Sequence, residues 1–558
     1  MARPQPFTLW RSVFGELFRN LALSAAILVS VIAFAATIKP LADGRLAPLD
    51  AIKFMLLAIP PMLAYALPFA GCFASTLVYH RLSADNEFVA AASGGVSHRS
   101  LLVPAAVLGV VLFGGMVLLS EQVIPRFLGT MQTMITQDLA KILANSINRG
   151  QSVELKKILV FADRAQPVDL EPGSDATTAL VLAHPAVIER DDDGNIESEG
   201  TASRATLWVF PDAGQGDSGP TTRLAMRLED FTSKDSKTGL VTGRTLPVSI
   251  TVPSTLRDDP KFLRGDELRD LRTRPERMSW IDQRRRRLAN ELALGRAIDD
   301  MSRALSSIGS STLLDSAGRQ LVIRASAVRA AGKNSWNIIP GPAGTVEVDL
   351  LRKDGAPSRS AGVRHLARTA ILAPDTSDDR PAGELVLRLE LRDVASSQLG
   401  EAGSAAEATR RERLSFSGLL GPKAQLAGLL KMGTYPLLDE AEKSRKTGGV
   451  SWESGELRRE LDALDNEITA KQNERLAVAV SCLVMMLTGA VTALRFSRSL
   501  PLTVYLWSFF PALVCVITIS GGQQLTRSHG WPGLLLLWGG VAVLGVYTLW
   551  TYMIVRKH

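Results

Sequence analysis

Six stretches of the chain carry no charge and little polarity: Leu21–Ile38, Phe54–Tyr79, Leu101–Ser120, Leu476–Leu494, Leu500–Thr526 and Trp531–Val555. A helix that crosses a bilayer needs about 20 consecutive apolar residues, and each stretch meets or approaches that length. A core helix of a globular protein would show polar positions at every turn, and these do not. The pattern predicts six transmembrane helices; the five spans beyond the first argue against reading Leu21–Ile38 as a cleaved signal peptide. Pro60, Pro61 and Pro68 lie within the second span. They would break a soluble helix, but a membrane helix tolerates them where neighbours satisfy the freed carbonyls, so a kinked, packed span is expected. Gly109, Gly114 and Gly115 in the third span permit close helix approach. Ahead of the first span, Phe7, Trp10, Phe14, Leu17 and Phe18 recur at helical spacing. That segment is either an interfacial amphipathic helix or an extension of the span itself.

Between the third and fourth spans lies a long polar region, residues 121–475. Leu385, Leu387, Leu389 and Leu391 alternate with Val386, Arg388, Glu390 and Arg392, and Leu224, Met226 and Leu228 with Ala225, Arg227 and Glu229. Period two marks half-buried strands. "ATLWVFPDA" and "LPVSITVPS" read as strands bounded by turn residues. Many short strands favour an antiparallel sandwich or jelly roll. Two charged helical blocks interrupt them. One lies around 261–306, with an apolar stripe at Leu288, Leu292, Ala297, Met301 and Leu305, and the other around 455–475, expected to run on into the fourth span. The Arg284–Arg287 run within the first block is read as a solvated face in preference to a phosphate contact, and residues 395–410 as a flexible linker. The predicted fold is therefore an α-helical membrane protein with six transmembrane helices in a 3+3 arrangement. A large extracytoplasmic β-rich, jelly-roll-like domain lies between spans three and four, with a helical and β insertion. Its parts are an N-terminal transmembrane region at 1–125, the jelly-roll-like domain at 126–295, an inserted or second domain at 296–470, and a C-terminal transmembrane region at 471–558.

Charge sets the orientation. Arg3, Arg11, Arg19, Arg81, Arg99, Arg495, Arg498, Arg556 and Lys557 fall on one side, and only Lys39, Arg45, Lys53 and Arg527 in the short loops of the other. The positive-inside rule then places both termini in the cytoplasm and residues 121–475 outside it, in a multi-pass protein of the inner membrane. The net charge of +7 comes from interspersed acids and bases, without the concentrated basic face that nucleic-acid binding wants. Cys72, Cys482 and Cys515 all lie in apolar runs, which leaves no disulfide framework or thiolate zinc site in the polar region. The six histidines form no His-x-x-x-His pair, so no metal and no cofactor are expected. No ionisable residue occupies an apolar core, which argues against ion coupling. No G-x-x-x-x-G-K-[ST] loop is present to cradle phosphates, and no catalytic triad or H-E-x-x-H motif. The chain reads as a non-catalytic protein whose energy comes from a partner.

One short polar gap is unusually structured. In "RLSADNEFVAAASGGVS", residues 81–97, Ser83 can cap a helix whose first turn holds Asp85 and Glu87, where the helix dipole favours acids. Phe88 and Val89 form an apolar knob, and Ala90 to Gly95 a smooth face ending at a glycine stop. A helix over 83–95 with an acid tip suits docking of a soluble subunit, although a capped turn joining two spans has the same signature.

The segment "RLSADNEFVAAASGGVSHRSLLVP" resembles the one that follows span two in the lipopolysaccharide-export permeases, the paired F and G subunits of the Lpt transporter. Arg81, Leu82, Asp85, Glu87, Gly94 or Gly95, and Ser97 match the family pattern, and Phe88 stands at the first position of its apolar pair. The layout of three spans, an extracytoplasmic β-rich domain and three more spans is also the family's. The resemblance implies the membrane half of an ABC exporter, in which two such permease subunits sit on a dimer of separate ATPase subunits. It implies that residues 81–97 form a coupling helix, with Glu87 making a polar contact in the ATPase groove. It implies that lipopolysaccharide or a related lipid passes to a jelly roll and on to a periplasmic bridge protein of LptC or LptA type. It assigns Lys39 and Arg45 to lipid head groups. The chain departs from the family in its much longer external region and in "TRPERMSW" (residues 273–280), which resembles a segment that normally comes shortly before span four. "NERLAVAVS" at span four keeps Arg475 but has no proline. The external insertion also fits a different class, a membrane-anchored scaffold without transport activity.

Overall fold

The computed structural model describes residues 7–42, 48–137, 144, 146–150, 152–155, 158–168, 176, 178–190, 196–212, 221–235, 239–252, 259–315, 319–332, 335–351, 362–375, 385–399, 409–420, 423–444 and 448–557. These form two compact units, one of Met1–Thr273 with Ala463–His558 and one of Arg274–Asp462.

In the first unit, helices α1 (Phe7–Ala42), α2 (Pro48–Ala84), α3 (Glu87–Ser93), α4 (His98–Leu118) and α5 (Ile124–Gln137) come first. One π-helical turn, Leu119–Val123, joins α4 to α5. Segment Phe7–Phe18 is continuous with the first apolar span, one 36-residue helix. Helix α2 runs unbroken through its three prolines. Eight antiparallel strands follow: β1 (Val153–Leu155), β2 (Ile158–Phe161), β3 (Arg164–Val168), β4 (Thr178–Ala183), β5 (Ala186–Arg190), β6 (Ile196–Asp212), β7 (Thr221–Asp235) and β8 (Gly239–Val252). The expected strand at Leu224–Glu229 is part of β7, and those at "ATLWVFPDA" and "LPVSITVPS" lie in β6 and β8 as far as Asp212 and Val252, where the described residues end.

Long β6 organises this sheet. Along one edge it pairs with β5 and then with β4, and along the other with β7. Where β6 changes partner, its ladder to β7 skips the Ser203–Asp230 position and keeps the same register on either side, from Ala202–Phe231 to Arg204–Glu229. Asp230 takes φ 49° there, and the Ser203 hydroxyl donates to the Glu229 carbonyl at 3.0 Å. Val160, Ala165, Leu180, Leu182, Ala205, Leu207 and Met226 form the core against Ile147. Helix α6 (Gly265–Thr273) ends this part of the unit.

The second unit begins with α7 (Ser279–Ile308), so the charged block expected at 261–306 is two helices split by Pro275. Strands β9 (Ser310–Asp315), β10 (Gln320–Arg324), β11 (Ala327–Gly332), β12 (Ser335–Ile339), β13 (Val346–Leu351), β14 (Gly362–Pro374), β15 (Val386–Leu399) and β16 (Thr409–Leu420) follow, with α8 (Lys423–Leu430) and α9 (Thr434–Lys443). The pairing closes on itself: β13–β10–β9–β16–β15–β14 and back to β13, with the β11–β12 hairpin attached to β14. This is a six-stranded barrel, which leaves no free edge along the ring. Leu387, Leu389 and Leu391 point inward with Leu321, Ile323, Val346, Val348, Ala367 and Leu372, all buried; Arg388 and Arg392 point outward. Of the linker expected at 395–410, residues 395–399 belong to β15 and 409–410 to β16; residues 400–408 lie outside the described residues. Of the Arg284–Arg287 run, expected to be a solvated face, Arg286 and Arg287 are exposed while the other two are tied down. Arg284 pairs with Glu460 at 2.8 Å, Arg286 with Asp282 at 2.6 Å, and Arg285 is buried.

Helix α10 (Gly448–Arg495) carries the second charged block straight into the fourth apolar stretch. Helices α11 (Pro501–His529) and α12 (Trp531–Lys557) complete the chain. Among the described residues, six helices are long and apolar enough to cross a membrane: Phe7–Ile38, Ile52–Ala84, His98–Thr130, Gly449–Arg495, Pro501–His529 and Trp531–Arg556.

Small residues and hydroxyls join these helices. A Cβ at Gly489 would meet the Cys72 carbonyl and the Ser75 hydroxyl, with the Thr76 hydroxyl 2.8 Å away. One at Gly522 would meet the Leu537 backbone. Gly109 packs on Leu483, whereas Gly114 and Gly115 face open space, so of the three expected close-approach glycines one serves inside this chain. The Thr76 hydroxyl bonds Ser508 across helices at 3.2 Å, and Thr488 bonds Thr548 at 2.6 Å. In an apolar medium helix association rests on such packing and hydrogen bonds, because burial from lipid supplies no hydrophobic drive.

Candidate functional site

The gap between α2 and α4 is built from the chain's turn chemistry. Helix α2 runs through Ser83 to Ala84, so Ser83 lies in a last helical turn and does not cap a new one. The break comes at Asn86, whose φ of 57° is left-handed, a conformation asparagine tolerates better than most residues. The Asn86 amide donates to the Ser83 carbonyl at 3.2 Å, closing the turn. Helix α3 therefore starts at Glu87 and spans Glu87–Ser93, shorter than the expected 83–95. Asp85 sits in the turn, and Glu87 keeps its place in the first turn of α3.

The far end is a Schellman stop. Gly95 takes φ 84°, and the Val96 amide donates to the Ala91 carbonyl at 3.1 Å, the 6→1 bond of that motif. Gly94 ends the helical hydrogen bonding with its amide on the Ala90 carbonyl at 3.1 Å. Ser97 caps α4, its hydroxyl accepting from the Ser100 amide at 3.3 Å. A Cβ at Gly95 meets no neighbour, so Gly95→Ala tests backbone strain alone. It should cost about 1 kcal/mol, read as a lowered melting midpoint of the purified protein with the secondary structure retained.

The eight sequence-predicted residues of this segment divide into anchors and presented groups. Leu82 is buried in the helix core, with Phe88 packed against the same cluster. The Phe88 ring meets His98 edge-on at 5.2 Å, so Phe88 holds α3 down and the exposed apolar group is Val89, 62 % accessible. Asp85 and Glu87 are exposed, as are Gly94, Gly95 and Ser97. Arg81 is half-exposed and donates to both oxygens of Glu16, at 2.8 and 2.6 Å, with Asp85 at 3.9 Å. Of the two residues expected at lipid head groups, Arg45 lies outside the described residues, as does the side chain of Lys39.

Sequence reasoning missed the residues that clamp this segment. The Trp10 indole N–H donates to the Ser100 carbonyl at 2.8 Å, and the Tyr79 hydroxyl to the Leu101 carbonyl at 2.8 Å. His80 lies 3.3 Å from the Ser499 carbonyl at the start of α11. Glu16 lines a shallow groove along α1 with Thr8, Arg11, Ser12, Gly15 and Arg19. Glu16 could have been singled out: it is the sole acid in residues 1–42 and stands between Arg11 and Arg19. No group of three or more metal-ligating side chains occurs among the described residues. What the segment can do chemically is present two carboxylates and a valine on a short, well-anchored helix.

No curated protein matches the chain. Residues 16–214 match the family described as lipopolysaccharide export system permease LptF/LptG. The matched stretch begins at Glu16, takes in the segment 81–97, and extends beyond the end of β6. This match supports the assignment of the chain to the LptF/LptG family.

Proposed function

We propose that the chain is a permease subunit of a lipopolysaccharide exporter powered by separate ATPase subunits, and that α3 is where the ATPase docks. The observation that carries this reading is the exposed acid pair of Asp85, in the turn before α3, and Glu87, at its first position, on a segment pinned between two apolar helices. Helix–turn geometry of this kind gives a rigid peg. Preorganised groups lose less freedom on binding than a floppy loop would, and exposed carboxylates steer a cationic groove toward it. In this reading the six apolar helices cross the inner membrane in a 3+3 arrangement. The α3 side and both termini are cytoplasmic, and the residues between the third and fourth spans are periplasmic. A second permease subunit completes the lipid path, and a periplasmic bridge protein receives the lipid.

The family match over residues 16–214 supports this division of labour, and a sequence without a phosphate-binding loop fits hydrolysis by a separate subunit. Affinity purification of the full chain from native membranes should recover an ATP-binding subunit that labels with azido-ATP and hydrolyses ATP in a vanadate-sensitive way. The chain stripped of that subunit should hydrolyse no ATP above background. Glu87→Arg should lower recovery of the labelled subunit at least tenfold, because it places a cation opposite the groove that the glutamate complements. Recovery of the ATPase at the unaltered level with Glu87→Arg would remove α3 from the interface.

A further inference from the structure

Arg81 has more than one carboxylate within reach and is committed to one of them. Its guanidinium donates to both oxygens of Glu16, 65 residues away, at 2.8 and 2.6 Å. Asp85, one helical turn along the chain, is only approached by Nε at 3.9 Å, beyond hydrogen-bond length. An acid and a base four residues apart on a helix ordinarily pair, so the capture by Glu16 overrides the local partner. Nη2 alone makes both bonds, and such charge-assisted hydrogen bonds are stronger than a contact beyond bonding distance. The consequence is electrostatic. Asp85 keeps 57 % of its side chain exposed without a hydrogen bond from Arg81, and Glu87 is exposed beside it.

We propose that Glu16 is a positioning residue for docking: by taking the hydrogen bonds of Arg81, it leaves Asp85 only a long ion pair to that arginine, so that Asp85 and Glu87 present more of their negative charge to the cationic groove of an ATPase subunit. This inference rests on the docking role proposed for α3. The Glu16–Arg81 pair itself is too exposed to contribute much to stability. Its effect lies in where it leaves the charge. It also ties α1, the first apolar span, to the segment on which the partner would push.

The test uses the full chain purified from native membranes, reading azido-ATP-labelled subunit retained per chain as salt is raised. Glu16→Gln frees Arg81 to swing onto Asp85, and retention at moderate salt should fall about fivefold, the scale of one competing charge at an interface rim. Adding Arg81→Gln to that variant removes the competitor, and retention should rise at least about twofold above that of Glu16→Gln alone. If the pair were merely a staple between α1 and α2, the double variant would stay as weak as the single one. That result, or undiminished retention with Glu16→Gln, overturns the inference. The two readings separate cleanly. If the unaltered chain retains no ATP-binding subunit, the docking role falls and this inference falls with it. If Glu87→Arg loses the subunit while Glu16→Gln keeps it, only the positioning role of Glu16 is lost.

Discussion

Gly489→Leu should yield no monodisperse protein in detergent, and Gly489→Ala should melt measurably below the unaltered chain. Gly489 lies where α10 crosses α2, facing the Cys72 carbonyl, which already accepts from Ser75 at 3.0 Å and Thr76 at 2.8 Å. A single methyl there would collide with that carbonyl and with both hydroxyls. Rotating the serine and threonine away breaks their bonds to Cys72 and the Thr76–Ser508 bond that joins α2 to α11. The backbone itself must therefore move. Overpacking of this kind costs about 1–3 kcal/mol for a methyl, and leucine multiplies the overlap. Thermal melts followed by size-exclusion chromatography check both variants. A leucine variant that melts with the unaltered chain would show that α2 and α10 do not pack as described.

The second large effect is expected in the other unit. Arg285→Met should destabilise Arg274–Asp462 by about 3 kcal/mol, the scale for removing one member of a buried, hydrogen-bonded charge cluster. Arg285 is 8 % exposed. Its Nη1 donates to the Leu430 and Met432 carbonyls, both at 2.7 Å, and its Nε and Nη2 to Asp282 at 2.9 and 2.6 Å. Methionine fills much of the same volume but removes the bonds to the Leu430 and Met432 carbonyls, and Asp282 keeps its pairing with Arg286. Arg285→Lys should recover only part of the loss, since an ammonium lacks the planar fork that spans three acceptors. Differential scanning calorimetry, with limited proteolysis near residue 430, reads the change. Unchanged melting with no new cleavage there would contradict the assignment of Arg285 as the clamp between α7 and the turn before α9.

How far the sequence discloses this molecule depends on the physics of each feature. The apolar runs and the period-two strands are local signals, and the apolar helices and β6, β7, β8 and β15 stand where those signals lie. Leu385–Leu391 is an instance: its alternation survives as inward leucines and outward charges in β15. The barrel's closure is not local. It depends on β14 pairing with β13 on one side and β15 on the other, and no spacing in the sequence states that. At the candidate site the glycine stop was legible because Gly-Gly before a serine cap has a specific backbone meaning. The start was misplaced because Ser83 has the right side chain for a cap, while the break is made by the left-handed Asn86. Phe88 reads as a knob by composition and proves an anchor, since burial is decided by His98 and the neighbouring helices. Glu16, Trp10 and Tyr79 reach the site from elsewhere in the chain, so only the fold brings them there.

On the proposed function, lipid movement by this chain requires a docked partner that hydrolyses ATP. The most direct test is lipopolysaccharide release from proteoliposomes containing the chain with its co-purified subunits, measured with and without ATP. Release should require ATP, and should fall to the level without ATP when the chain carries Glu87→Arg, with the same amount of chain reconstituted. Release that proceeds without ATP, or that Glu87→Arg leaves untouched, would contradict it.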